Sequence, residues 1–88
     1  MNYKIEHRLI GNDKYGHDII VDIGDRICVK IKDEEAEDLG LEPGEIVKGF
    51  AAGFKNMRVD SLMVICDGYT CGFPMHTIEY IEKKRINN

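Results

Sequence analysis

Hydrophobic and polar positions alternate most sharply in the second half of the chain. There Arg58-Val-Asp-Ser-Leu-Met-Val-Ile-Cys-Asp-Gly-Tyr-Thr-Cys-Gly-Phe73 sets Asp67-Gly68 between two runs rich in β-branched and aromatic residues. Asp-Gly in that setting predicts a two-residue type I′ hairpin. With those two residues at its centre, Cys66 opposes Tyr69, Val64 opposes Cys71, and Leu62 opposes Phe73. One face then carries Leu62, Val64, Cys66, Tyr69, Cys71 and Phe73, and the other Met63, Ile65, Thr70 and Gly72. A ribbon apolar on both sides cannot stand alone in water, so the remaining elements are expected to wrap it.

Upstream, the period of two recurs in shorter stretches. Tyr3–Ile10 and His17–Ile23 read as strands of an N-terminal hairpin, joined by the turn cluster Gly11-Asn-Asp-Lys-Tyr-Gly16. After Gly24-Asp25, Arg26–Lys32 is a half-buried strand with Ile27, Val29 and Ile31 inward and Arg26, Cys28 and Lys30 outward; the N-terminal arm is expected to cover Cys28. Asp33–Leu39 reads as a short helix capped by Asp33 and stopped by Gly40, with Leu41 folding back toward Ala36. Glu42-Pro-Gly-Glu45 fits a type II turn. A strand follows over about 45–52, where Gly49 and Gly53 mark a bulge or a close backbone approach. Pro74 ends the hairpin, Met75–Thr77 suits a 3₁₀ turn, and Ile78–Ile81 a closing strand. The expected organisation is one domain over 1–88: N-terminal hairpin at about 3–23, barrel at about 24–82, frayed tail at 83–88.

Composition narrows the function without naming it. The net charge is −4, which weighs against a dedicated nucleic-acid binder. No apolar run approaches the roughly 18–20 residues that span a bilayer, and the start carries no signal-type apolar region, so the chain is expected in the cytoplasm. Three cysteines, an odd number in no familiar framework, are expected as free thiols there. The abundance of Ile, Lys and Asn fits an AT-rich bacterial or phage genome.

Ile23-Gly-Asp-Arg-Ile-Cys-Val29 resembles the opening strand of Src-homology-3-like small barrels, including the bacterial and KOW-type versions. Gly44-Glu-Ile-Val-Lys-Gly-Phe50 resembles their second strand, the Asp67-Gly68 hairpin their third and fourth, and Phe73–Ile81 their 3₁₀ turn and closing strand. The resemblance covers about two-thirds of the chain and implies a mainly β fold, a small, partly open barrel of five to seven strands with one short helix at about 33–39 in a loop. Peptide-binding members use an aromatic groove, whereas this chain has no Trp and its Tyr residues are scattered at 3, 15, 69 and 80. Ribosome- and RNA-binding members carry a basic face, which sixteen acids offset here. A fold-level likeness transfers little function.

Five constellations have a chemical reading. Cys66, Cys71 and His76, spaced C-x4-C-x4-H, invite zinc, but tetrahedral zinc wants a fourth ligand that only His7, His17 or Cys28 could bring. The weight falls on small buried hydrophobes and a surface histidine, and no metal or other cofactor is assigned. Cys71 with His76 as nucleophile and base lacks an orienting third group. Lys48–Phe54 is glycine-rich but follows no phosphate-binding pattern. The acidic stretch Asp33, Glu34, Glu35, Glu37 and Asp38, with Glu42 and Glu45, is a solvated face or a docking surface for a basic partner. Phe50, Phe54 and Met57 flank a bend and are either core or an exposed apolar patch.

The expectation is a non-enzymatic module that binds another protein, or its own copy, through Glu34, Glu35, Glu37, Asp38, Phe54, Met57 and Arg58. A phage-type or accessory inhibitor or adaptor acting on a host protein is one form of it. The alternative is a nucleic-acid-associated barrel using Lys55, Arg58, Lys83, Lys84 and Arg85.

Overall fold

A computed structural model describes residues 4–6, 8–56 and 60–84. The chain is mainly β. Its strands are β1 (Lys4–Glu6), β2 (Arg8–Asn12), β3 (Asp18–Asp22), β4 (Arg26–Ile31), β5 (Ile46–Asn56), β6 (Asp60–Cys66), β7 (Tyr69–Pro74) and β8 (Ile78–Lys83), with one short helix, α1 (Asp33–Ala36), before β5. They form two antiparallel sheets. The larger runs β7-β6-β5-β4-β8 with β1 added beside β5, and the smaller is the β2–β3 hairpin. The described strands do not close into a barrel, since β7 and β8 end the larger sheet at opposite edges.

The ribbon at Asp67-Gly68 forms in the expected register, Leu62 facing Phe73, Val64 facing Cys71 and Cys66 facing Tyr69. Asp67 and Gly68 have φ of 49° and 84°, the double positive pair that a type I′ turn demands. Leu62, Val64 and Phe73 enter the core, but Cys66 and Cys71 are only half-buried and Tyr69 is 76% exposed. The apolar face read from the sequence is thus swallowed at its base and projects from the core at its tip.

β4 is the central strand of the wrap. Ile27, Val29 and Ile31 point inward as expected, yet Cys28 and Lys30, on the opposite face, are also buried. β5 and β8 pair with β4 along its two edges, which makes it a central strand. Lys30 tolerates burial because its ammonium donates to the Ile31 carbonyl and to Asp33 Oδ1, both at 2.8 Å, and Glu79 lies 3.5 Å away. Asp33 is therefore not the helix cap the sequence predicts. Its carboxylate accepts from Lys30 and from the Gly44 N–H at 3.1 Å, tying the start of α1 to the turn before β5.

Helix α1 lasts one turn, then tightens to 3₁₀ over Glu37–Leu39 and stops at Gly40, whose φ is 77°. Leu41 donates its N–H to the Ala36 carbonyl, the Schellman-type return that Leu41 promised. The N-terminal region departs most from expectation. The strand expected over Tyr3–Ile10 changes partners, Lys4–Glu6 pairing with β5 and Arg8–Asn12 with β3. Residues 3–23 are thus not a separate hairpin. Gly11 and Asn12 also belong to a strand and not to the turn; a Cβ at Gly11 would lie 3.0 Å from Ile81 Cδ1, so the hairpin sits close against β8. The turn itself is organised by Asp13, whose Oδ1 accepts from the N–H groups of Tyr15 and His17. At the other end β8 continues to Lys83, and the Lys84 N–H donates to the Arg26 carbonyl, so residues 83 and 84 are not frayed; the rest of the tail expected over 83–88 lies outside the described residues.

Three aspartates that serve as structural acceptors are held below the usual aspartate range. The His17 N–H is the main cause for Asp13, the Asp22 N–H (helped by Lys83) for Asp25, and Lys30 for Asp33. A depressed folded-state pKa contributes stability above the unfolded value that is lost as pH falls through the folded one. The denaturation midpoint is therefore expected to hold from neutrality to roughly pH 5 and to fall below about pH 4. Asp25→Asn should flatten part of that fall, and an acid limb unchanged in this variant would remove Asp25 from the explanation.

Candidate functional site

The outer face of the larger sheet carries the best-formed surface feature. On β5, Lys48 and Phe50 alternate with residues facing the other way, and Phe50 pairs directly with Ile65 of β6. That pairing sits just before the register shift between Ala51 and Gly53, where β5 bends. The two side chains stay 45% and 42% exposed, an adjacent apolar pair in solvent. Arg26 of β4 lies opposite Phe50 across the strand, and its guanidinium stands 5.7 Å from the ring centroid. Such a contact at an exposed site is worth about 0.5–1 kcal/mol. Lys48 and Lys84 complete the wall, while Asp67 and Gly68 of the hairpin turn close one end. The groove so formed has a volume of about 600 Å³. Three cations and one carboxylate around an aromatic ring make it locally basic on a chain that is acidic overall.

The residues singled out in the sequence are not brought together. Glu34, Glu37 and Asp38 are exposed and Glu35 half-buried on the helix that precedes β5. Phe54 lies near the opposite end of that eleven-residue strand and is a core residue at 3% exposure. It is removed from any contact surface, because the curl of β5 turns it inward against Leu62. Met57, Arg58 and Arg85 lie outside the described residues, and Lys55 is placed only as a backbone position in β5. Lys83 pairs with Asp25 at 3.1 Å, whereas Lys84 borders the groove. Among the described side chains of the alternative basic set, Lys83 and Lys84, it is Lys84 that borders the groove.

His76 is exposed in the 3₁₀ turn after β7, at the end of that strand remote from the hairpin tip. Cys66 and Cys71 are diagonal neighbours on one face of the hairpin. Burial pushes the Cys66 thiol up, with Cys71 and Asp67 adding to the effect. That is the reverse of what a thiolate nucleophile needs. Among the described residues, no three His, Cys, Asp or Glu side chains are grouped to hold a metal ion. Nor is any described helix long and apolar enough to cross a membrane.

Arg26, Lys48 and Ile65 were missed as a set. Each falls at an unremarkable position of its own strand, and only the pairing of β4, β5 and β6 joins them. The one available sign was Phe50 with Lys48 on the same face of a strand expected to bend at Gly49 and Gly53.

Fold and groove together define a small, mainly β domain with a basic-aromatic surface. No family model, curated protein or solved structure matches the chain.

Proposed function

We propose that the chain is a non-catalytic interaction module of the Src-homology-3-like kind, which binds a protein segment pairing an apolar side chain with carboxylates. The observation that carries this is the exposed Phe50–Ile65 pair ringed by Arg26, Lys48 and Lys84. The strand order β8-β4-β5-β6-β7, with a 3₁₀ turn entering β8, supports the fold-level likeness, as an open sheet and not a closed barrel. An aromatic anchor beside cations supplies both desolvation and charge complementarity. The acidic helix is a solvated face in this reading.

The test is capture of partners from the native cell by the tagged chain. Phe50→Ala and Ile65→Ala should each reduce capture about tenfold, as loss of a central anchor does. Glu35→Lys should leave it unchanged. Capture that survives both groove substitutions sinks the proposal.

A second reading has its own support, because cations around an exposed aromatic ring also suit single-stranded nucleic acid. Three phosphate contacts would give a slope of about −2 in log affinity against log salt. Capture insensitive to nuclease, with no oligonucleotide retained at low salt, decides for protein.

A further inference from the structure

Beyond the groove, the opposite side of the same hairpin faces a second concavity. It lies between the hairpin tip and the turn that follows α1, has a volume of about 720 Å³, and is walled by Leu39, Leu41, Val47 and Phe73, with Glu45, Lys48 and Asp67 at its rim. Cys66 and Cys71 stand in this wall, half-buried and side by side. Cys28 is on the other face of the sheet, buried beside the groove.

We propose that Cys66 and Cys71 form a two-thiolate site for a soft monovalent metal ion of the cuprous class, open to solvent through this cleft. The hairpin register argues for a bridging ion over a direct disulfide. Diagonal partners of an antiparallel pair have Cα atoms about 7–8 Å apart. That exceeds the roughly 4.4–6.8 Å within which a disulfide closes without backbone movement. Two metal–sulfur bonds of about 2.3 Å reach roughly 4.6 Å between sulfurs, which suits the wider spacing. Zinc would want four donors, and no described group supplies three. Two thiolates satisfy a soft monovalent ion, and the pair then carries a single net negative charge in a half-buried cleft that Lys48 also lines.

Binding is a proton exchange. Two S–H bonds break, two metal–sulfur bonds form, two protons pass to solvent, and no electrons change hands. Because both ligands give up a proton, affinity rises with pH.

The experiment titrates the reduced chain, under anaerobic buffer, with Cu(I) supplied as its acetonitrile complex in competition with a chromogenic cuprous chelator. One Cu(I) per chain is expected to be withdrawn from the chelator, and X-ray absorption is expected to read sulfur neighbours without nitrogen. Cys66→Ser and Cys71→Ser should each weaken withdrawal by more than the roughly 100-fold that loss of a ligand's supporting contact costs. Cys28→Ser should bind as the parent does. No withdrawal, nitrogen in the absorption spectrum, equal binding by either hairpin variant, or loss of binding with Cys28→Ser would each overturn the site. The absorption reading needs no variant, so it stands even where a serine chain folds poorly.

Discussion

Phe54→Ala is expected to destabilise the fold by about 3–5 kcal/mol, a large share of the roughly 5–13 kcal/mol that a domain of this length holds. Phe54 is 3% exposed and belongs to the cluster formed with Leu62, Val64, Val29 and Ile81. Truncation removes most of an aromatic side chain from that cluster and leaves a cavity whose walls, being strands of one sheet, cannot close in. The expected readout is a melting temperature lower by about 15–30 °C. Phe50→Ala, four residues earlier on the same strand, should shift it by only a few degrees, since Phe50 already meets water. The contrast also separates the two roles proposed for aromatic residues near this bend. A contact residue loses capture and keeps its stability; a core residue loses stability first. If Phe54→Ala melted with the parent, the inward course of β5 would be wrong.

That contrast shows where sequence reading succeeds and where it stops. The ribbon from β6 to β7 was legible residue by residue, because Asp-Gly admits one tight turn and the turn sets the register on both sides. The stop at Gly40 and the turn at Pro43-Gly44 were legible for the same reason: each rests on a local backbone demand. The fate of Phe50 and Phe54 was not. They are four positions apart, and in an unbroken strand an even spacing puts both on one face. The register shift between Ala51 and Gly53 breaks that parity, sending Phe50 out and Phe54 in. Glycines announce that a strand can bend but not which residue is skipped. The same limit hid the groove, whose Arg26, Lys48, Phe50 and Ile65 come from strands 26–31, 46–56 and 60–66. It also explains Lys30, which reads as a solvated position until Asp33 and Glu79 are seen to close over it. Pairing between distant strands is a tertiary fact. Turn chemistry is local, and the boundary between the two is the boundary of what the sequence revealed.

The bend itself predicts the second large effect, and its sign is the informative part. Glycine inside a strand is ordinarily a weakness, and replacing it with alanine gains about 0.5–1 kcal/mol through lost freedom in the unfolded chain. Gly49→Ala should do the opposite and cost about 3 kcal/mol. A Cβ built there would stand 2.2 Å from the Ile65 carbonyl oxygen and 2.9 Å from Val64 Cγ1. The carbonyl is backbone, held in a strand paired on both edges, so it cannot swing aside as a side chain would. Relief therefore requires β5 and β6 to separate where β5 bends, which loosens Phe50 from Ile65 as well. Adding Val64→Ala to Gly49→Ala removes the lesser obstacle and leaves the carbonyl, so the double variant should be less stable than either single one. Equilibrium urea denaturation of the three variants against the parent gives the answer directly. A stabilised Gly49→Ala chain, or a double variant restored toward the parent, would mean that the two strands do not pass this close.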